Sequence, residues 1–199
     1  MKKCIIRWIR FIALVTVVQC GQAASFPQHE LEFESESVTL SGTLVLPAAE
    51  DPHSVVVFVH GSGPQTRNLW IAEKFASPGV AAFVYDKRGV GKSGGEYESQ
   101  QSVSEKNIHL LANDAVAAIE QLKRHSLVKH LPVGLVGISQ AGWIAPVAAV
   151  NTDLVDYLVI WSGPVCKVSE EDIYSKYTTD KDTAKVPSYL EALSARSSP

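Results

Sequence analysis

The sequence predicts an α/β fold built on a mostly parallel sheet with helices on both faces. Three observations predict it. Short apolar, β-branched runs at Val55–Val59, Val80–Tyr85, Val133–Ile138 and Tyr157–Trp161 have the character of strands covered on both faces. Segments of helical periodicity alternate with them, and such alternation implies parallel strands joined by right-handed crossovers. The balance of 46% hydrophobic and 20% charged residues, with a net charge of −3 over 199 residues, is that of a single globular domain. With 18 Lys and Arg against 21 Asp and Glu, no basic excess exists to drive binding to nucleic acid or anionic lipid.

In chain order, Lys2, Lys3, Arg7 and Arg10 precede the apolar run Phe11–Val18, and Gly21, Ala23 and Ala24 follow it. This pattern reads as a secretory signal peptide over residues 1–24, placing the mature chain in the periplasm or outside the cell. The run is too short for the ~20 apolar residues of a membrane anchor, so no stable span is expected after cleavage. Cys20 leaves a lipoprotein reading open, against which Gln19 stands, because such sites carry a small residue there. Cleavage after Ala23 or Ala24 leaves Cys166 as the only cysteine, with no intrachain disulfide to form.

Leu31–Ser35 and Val38–Leu46 then read as an antiparallel pair that ends at Pro47. Trp70–Phe75 reads as a short helix. Glu105–Arg124 is the clearest helix, with Ile108, Leu111, Ala115, Ile119 and Leu122 on one stripe and with Ser102 and Glu105 at capping-box spacing. Ala141–Val150 reads as a second, more buried helix, and no repeat or low-complexity tract interrupts the series.

Three loops at the carboxyl ends of the strands carry the chemistry, where open α/β sheets bind ligands. In Gly137-Ile138-Ser139-Gln140-Ala141-Gly142 a strand turns sharply into a helix, which exposes the intervening serine and demands small neighbours. Ser139 is therefore the candidate nucleophile, against the alternative that it only caps the helix. The last small position of the pattern is Ala141, with glycine one residue later. In His60-Gly61-Ser62-Gly63-Pro64, two glycines let backbone N–H groups point over the sheet. The N–H groups of Ser62 and Gln140 are the candidate oxyanion hole, while His60 is expected to orient the loop by hydrogen bonding rather than to act as base.

The third loop, Tyr85-Asp86-Lys87-Arg88-Gly89-Val90-Gly91-Lys92-Ser93-Gly94-Gly95, contains two decoys. Gly89, Gly91 and Gly94 match a dinucleotide fingerprint, but polar residues follow where its helix must begin. Gly91-Lys92-Ser93 resembles the end of a phosphate loop, but Asp86 stands where that loop needs glycine. No nucleotide, other cofactor or metal is expected.

Taken together, HGSGP, YDKRGVGKSGG and GISQAGW, in this order, resemble the α/β-hydrolase superfamily over roughly residues 38 to 165, and within it the carboxylesterase and serine aminopeptidase-like serine hydrolases. The resemblance implies an α/β-hydrolase fold and a small-molecule ester or amide substrate, and it gives Asp86 and Arg88 bracing roles beside the nucleophile. Relatives often carry an acidic residue before the arginine after HGSGPQ. Thr66 precedes Arg67 here, which speaks against a substrate clamp.

The superfamily order is Ser, then Asp or Glu, then His. All six histidines, His29, His53, His60, His109, His125 and His130, precede Ser139. Asp153 and Asp156 follow it but precede the next strand, where loop or helix-end contacts are expected of them. The sequence thus reads as the N-terminal part of a hydrolase core over residues 25–163, lacking the last strands, with the start of a helical cap over 164–199 at Glu170–Tyr177 and Ser188–Ala195. A fragment, a truncated gene product and a degenerate copy all fit that reading. Two function classes follow: an esterase-like serine hydrolase, and a non-catalytic module that keeps only the pocket.

Overall fold

The computed structural model describes residues 25–98, 103–164, 166–168, 170 and 191. They form a six-stranded sheet in the order β1 (Gln28–Ser35), β2 (Val38–Val45), β4 (Val80–Tyr85), β3 (Ser54–Val59), β5 (Val133–Ile138), β6 (Tyr157–Trp161). The hairpin β1–β2 is antiparallel and β2 joins β4 antiparallel, while β4, β3, β5 and β6 run parallel. Three helices, α1 (Leu69–Ala76), α2 (Glu105–Arg124) and α3 (Ala141–Val150), make the crossovers.

The two-residue period of a strand sends alternate side chains to opposite faces, and here both faces are apolar. Val55, Val57, Val59, Phe83 and Leu135 point into the larger core with Ile108, Leu111, Ala115, Ile119 and Leu122 of α2 and Ile144 and Ala148 of α3. Val56, Phe58, Ala82, Val84 and Val136 face the other way, against Ala72 and Ala76 of α1. That two-sided burial is why β3, β4 and β5 read as uninterrupted apolar runs.

Three details depart from expectation. β1 begins three residues earlier than the apolar pattern suggested, because Gln28, His29 and Glu30 pair with Val45, Leu44 and Thr43 at the sheet edge, where polar side chains reach solvent. The cap of α2 is Ser104, whose hydroxyl accepts the Asn107 N–H at 3.2 Å; Ser102 lies outside the described residues. β6 is a strand as expected but is not covered on both faces: Leu158, Val159 and Trp161 are 39%, 45% and 68% exposed. The sheet also closes over a missing side chain between β5 and β6. A Cβ on Gly134 would lie 2.2 Å from the Tyr157 ring, so that ring fills the space a β5 side chain would occupy.

Residues 1–24, read as a signal peptide, lie outside the described residues, as do the two cap segments apart from Glu170 and Glu191. No helix among the described residues is long and apolar enough to cross a membrane.

Candidate active site

β5 ends at Ile138 and α3 begins at Ala141, so the chain turns from strand to helix within two residues. Ser139 makes that turn with φ of 55°, in the left-handed region that side chains other than glycine's disfavour. Its carbonyl accepts the Gly142 N–H at 2.8 Å, which locks the turn, and Ser139 itself is exposed at the apex. The small neighbours have a measurable reason. A Cβ on Gly137 would meet the Ala141 Cβ at 2.9 Å, and one on Gly142 would meet the Pro164 carbonyl at 2.7 Å and the Gly163 Cα at 2.9 Å. Gln140 is buried at the start of α3, where the first amide N–H groups of a helix have no intrahelical carbonyl.

The loop after β3 packs against this turn. A Cβ on Gly61 would come within 3.4 Å of the Ser139 Cβ and 3.2 Å of the Ile138 carbonyl, so the backbone of Gly61 abuts the serine and Ser62 follows it at the surface. The fold thereby brings Ser139, Gln140 and the Ser62 segment to one place.

His60 is buried beneath them. Its Nε2 donates to the Tyr85 carbonyl and its Nδ1 lies 3.3 Å from Gln65 Oε1, while Gln65 Nε2 donates to the Ser62 carbonyl at 2.8 Å. Burial holds the imidazole below its ordinary pKa. The ring is held at Nε2 by the end of β4 and faces Gln65 of the loop with Nδ1, and among the described residues no imidazole hydrogen-bonds the Ser139 hydroxyl. Asp156 is likewise a structural contact, its Oδ2 accepting the Val133 N–H at 2.7 Å where β5 begins.

The loop after β4 is an ionic frame. Asp86 Oδ1 accepts the Arg67 backbone N–H and Nε at 2.8 and 3.1 Å, and Oδ2 accepts Arg67 Nη2 and the Lys92 N–H, both at 2.9 Å. Burial alone would raise this carboxyl, but the hydrogen bonds from Arg67 and Lys92 hold it below the usual carboxylate range. Arg67 also reaches Glu30 at 2.8 Å, Thr43 at 3.0 Å and Ser41 at 2.6 Å, so its donors are spent on the β1–β2 hairpin. Arg88 donates to Asp114 of α2 through Nε and Nη2 and to the Ser35 carbonyl at 3.2 Å. The glycines that imitate nucleotide motifs serve this frame: Gly89 and Gly91 have φ of 71° and 59°, and a Cβ on Gly91 would sit 2.5 Å from Asp86 Oδ2.

Two residues here escaped the sequence reading. Asp114 is a carboxylate one position before Ala115 on the buried stripe of α2, which was a legible signal. Lys87 is buried, with Nζ donating to the carbonyls of Gly61 at 2.9 Å and Gly63 at 3.2 Å, and nothing in its sequence context announced that role. No group of three or more His, Cys, Asp or Glu able to hold a metal occurs among the described residues.

The architecture has many relatives. A dienelactone hydrolase from Anabaena variabilis superposes with a TM-score of 0.54 at 27% identity, over 69% of this chain and 64% of that one. An esterase from Pyrococcus furiosus gives 0.57 at 22% identity over 83% and 60%, and acetyl xylan esterase 1 from Thermoanaerobacterium gives 0.61 at 15% over 89% and 60%. These last two likenesses concern the fold alone. In sequence, a putative phosphoribosyl transferase of Mycobacterium tuberculosis is 30% identical over 126 residues, 62% of this chain and 27% of the relative. The chain therefore spans about a quarter of the curated relatives it matches. The model of the family described as "Serine aminopeptidase, S33" matches residues 50–191, a span that takes in the Ser139 turn and both loops packed around it, and the chain belongs to this family of α/β hydrolases.

Proposed function

We propose that Ser139 is the nucleophile of a serine hydrolase acting on carboxylic esters or amides, with the N–H groups of Gln140 and Ser62 as the oxyanion hole. The observation that carries the reading is the left-handed backbone of Ser139 (φ 55°) at an exposed strand-to-helix turn. Such strain on a residue other than glycine persists where the surroundings over-determine it, and here it falls on an exposed serine that the backbone of Gly61 abuts. In the chemistry proposed, a base takes the Ser139 proton, the oxygen adds to the carbonyl carbon, the alcohol or amine leaves with a proton, and water then releases the acyl group.

Among the described residues, which include all six histidines, no imidazole hydrogen-bonds Ser139, so the proposal includes that the base is not supplied in the arrangement described. The same observation favours a second reading, a pocket that binds without turning over. A fluorophosphonate probe separates the two. An oxyanion hole without a base retains roughly 10³- to 10⁴-fold of advantage over water, so slow labelling at Ser139 above the other serines, lost in Ser139→Ala, supports the hydrolase. Labelling at the level of the other serines supports the binding module. Export of the mature chain from about Ala24 or Ser25 is part of the same proposal, and the mass of protein recovered from periplasm or medium tests it.

A further inference from the structure

We propose that Lys87 is a positioning residue for the oxyanion hole: its ammonium holds the Gly61 carbonyl inward and so turns the N–H of Ser62 outward, toward the space over Ser139. The proposal rests on the reading of Ser139 as nucleophile. Gly61 C=O and Ser62 N–H belong to one peptide unit, and no peptide bond among the described residues is cis. In a trans unit the two groups point in opposite directions. Whatever fixes the carbonyl therefore aims the donor, and Lys87 Nζ lies 2.9 Å from that carbonyl and 3.2 Å from the Gly63 carbonyl. Gln65 fixes the following unit through the Ser62 carbonyl at 2.8 Å. A cation on the oxygen of a peptide also polarises its N–H, which strengthens that N–H as a donor to negative charge.

The surroundings of Lys87 argue against a role in stability. Among the described residues its ammonium pairs with no carboxylate; its neighbours include the two carbonyls, the Tyr97 ring, whose centroid is 4.6 Å away, and the His60 imidazole, whose charged form it opposes. A buried charge without a counter-ion costs free energy, and burial lowers the Lys87 pKa to about 8. The neighbouring Arg88, by contrast, is matched to Asp114. The loop keeps a costly cation where an apolar side chain would fill the space, and what the cation secures is the direction of one peptide.

The test is the rate of fluorophosphonate labelling at Ser139 against probe concentration, in the wild-type chain and in Lys87→Met. With no base on Ser139, labelling selectivity comes from the oxyanion hole, so its loss reads directly on the hole. The expected result is a maximal rate lowered about 10- to 100-fold, below the 10²- to 10³-fold seen when a donor is removed outright, with the half-saturating concentration unchanged and the thermal midpoint not lowered. A general loss of structure would move all three. Should Lys87→Met fail to fold, Lys87→Gln, whose uncharged amide ends one bond short of the ammonium's place, carries the test with the same split expected. A folded variant that labels at the wild-type maximal rate overturns the role of Lys87 while the nucleophile stands. Absence of selective labelling in the wild-type chain overturns the reading of Ser139 and the proposal with it.

Discussion

Arg88 and Asp114 form an ion pair inside the protein, with side chains 3% and 1% exposed, that ties the loop after β4 to the middle of α2. Burial pushes the Asp114 carboxyl up, against the pull of Arg88, so the pair holds two charges where neither would stay alone. Asp114→Ala strands a guanidinium in the core and is expected to lose about 3–5 kcal/mol, whereas Arg88→Met combined with Asp114→Leu should lose less than the sum of the single changes. Urea unfolding of the wild type, Asp114→Ala, the two single changes and the double variant measures this. A loss under about 1 kcal/mol in Asp114→Ala would place the charge network outside the stability of the fold.

The strain at Ser139 makes a separate prediction. Glycine adopts positive φ without the steric penalty of a side chain, so Ser139→Gly should raise stability by about 1 kcal/mol while Ser139→Ala should not. Both should lose selective fluorophosphonate labelling. Thermal midpoints of the three chains decide it, and a Ser139→Gly less stable than wild type would show that the hydroxyl holds the turn together.

Acid should destabilise the protein from near neutrality. His60 and His125 are both held below the ordinary imidazole pKa, His60 by burial and His125 by burial and the nearby His29. A base with a depressed folded pKa binds its proton later in the folded than in the unfolded chain, where titration centres at about 6.5. Stability is therefore complete above that value and falls as the pH drops below it. Denaturant midpoints between pH 7.5 and 5.5 should decline, and His125→Asn should flatten the decline. An unchanged slope in that variant would remove His125 from the account.

The chain should hydrolyse a p-nitrophenyl ester far more slowly than the ~10 s⁻¹ of a typical enzyme. Ser139 lacks an imidazole partner among the described residues, and His60 is buried with its Nε2 bound to the Tyr85 carbonyl. Stopped assays beside Ser139→Ala measure it. Typical turnover in the wild type alone would mean that His60 leaves its loop to serve as base.

Self-association is expected at β6. Among the described residues β6 is the last strand of the sheet and exposes apolar side chains, which offers backbone groups and side chains for pairing, and Val159→Lys places a charge there. Light scattering at increasing concentration should show less association in the variant, and equal association would locate the contact elsewhere.

What the sequence disclosed and what it withheld divide along a physical line. β3, β4 and β5, covered on both faces, were legible because burial imposes a continuous apolar run, and α2 because one-sided burial imposes a stripe. The Ser139 turn was legible because sterics restrict its neighbours to small residues. The length of β1 was not, since its first residues pair by backbone and leave their side chains to water. Lys87 was not either: its role depends on two carbonyls more than 20 positions upstream in the chain, and no local pattern encodes a long-range contact of that kind. Thr66 before Arg67 put a substrate-clamping role in doubt, and no local pattern showed the partners Arg67 has, Glu30 on β1, Ser41 and Thr43 on β2 and Asp86 in the β4 loop.

The contact between Gly134 and the Tyr157 ring has an evolutionary corollary. The ring lies where a β5 side chain would project, so the two positions share one volume across neighbouring strands. Adding even a methyl group at 134 obliges the aromatic to leave, and shrinking the aromatic opens a hole beside the glycine. A drifting sequence can cross from one arrangement to the other only through an intermediate that is overfilled or hollow. The pair is thus expected to change together or not at all, and a glycine facing anything smaller than an aromatic ring at these positions would mark a lineage in which β5 and β6 have re-spaced.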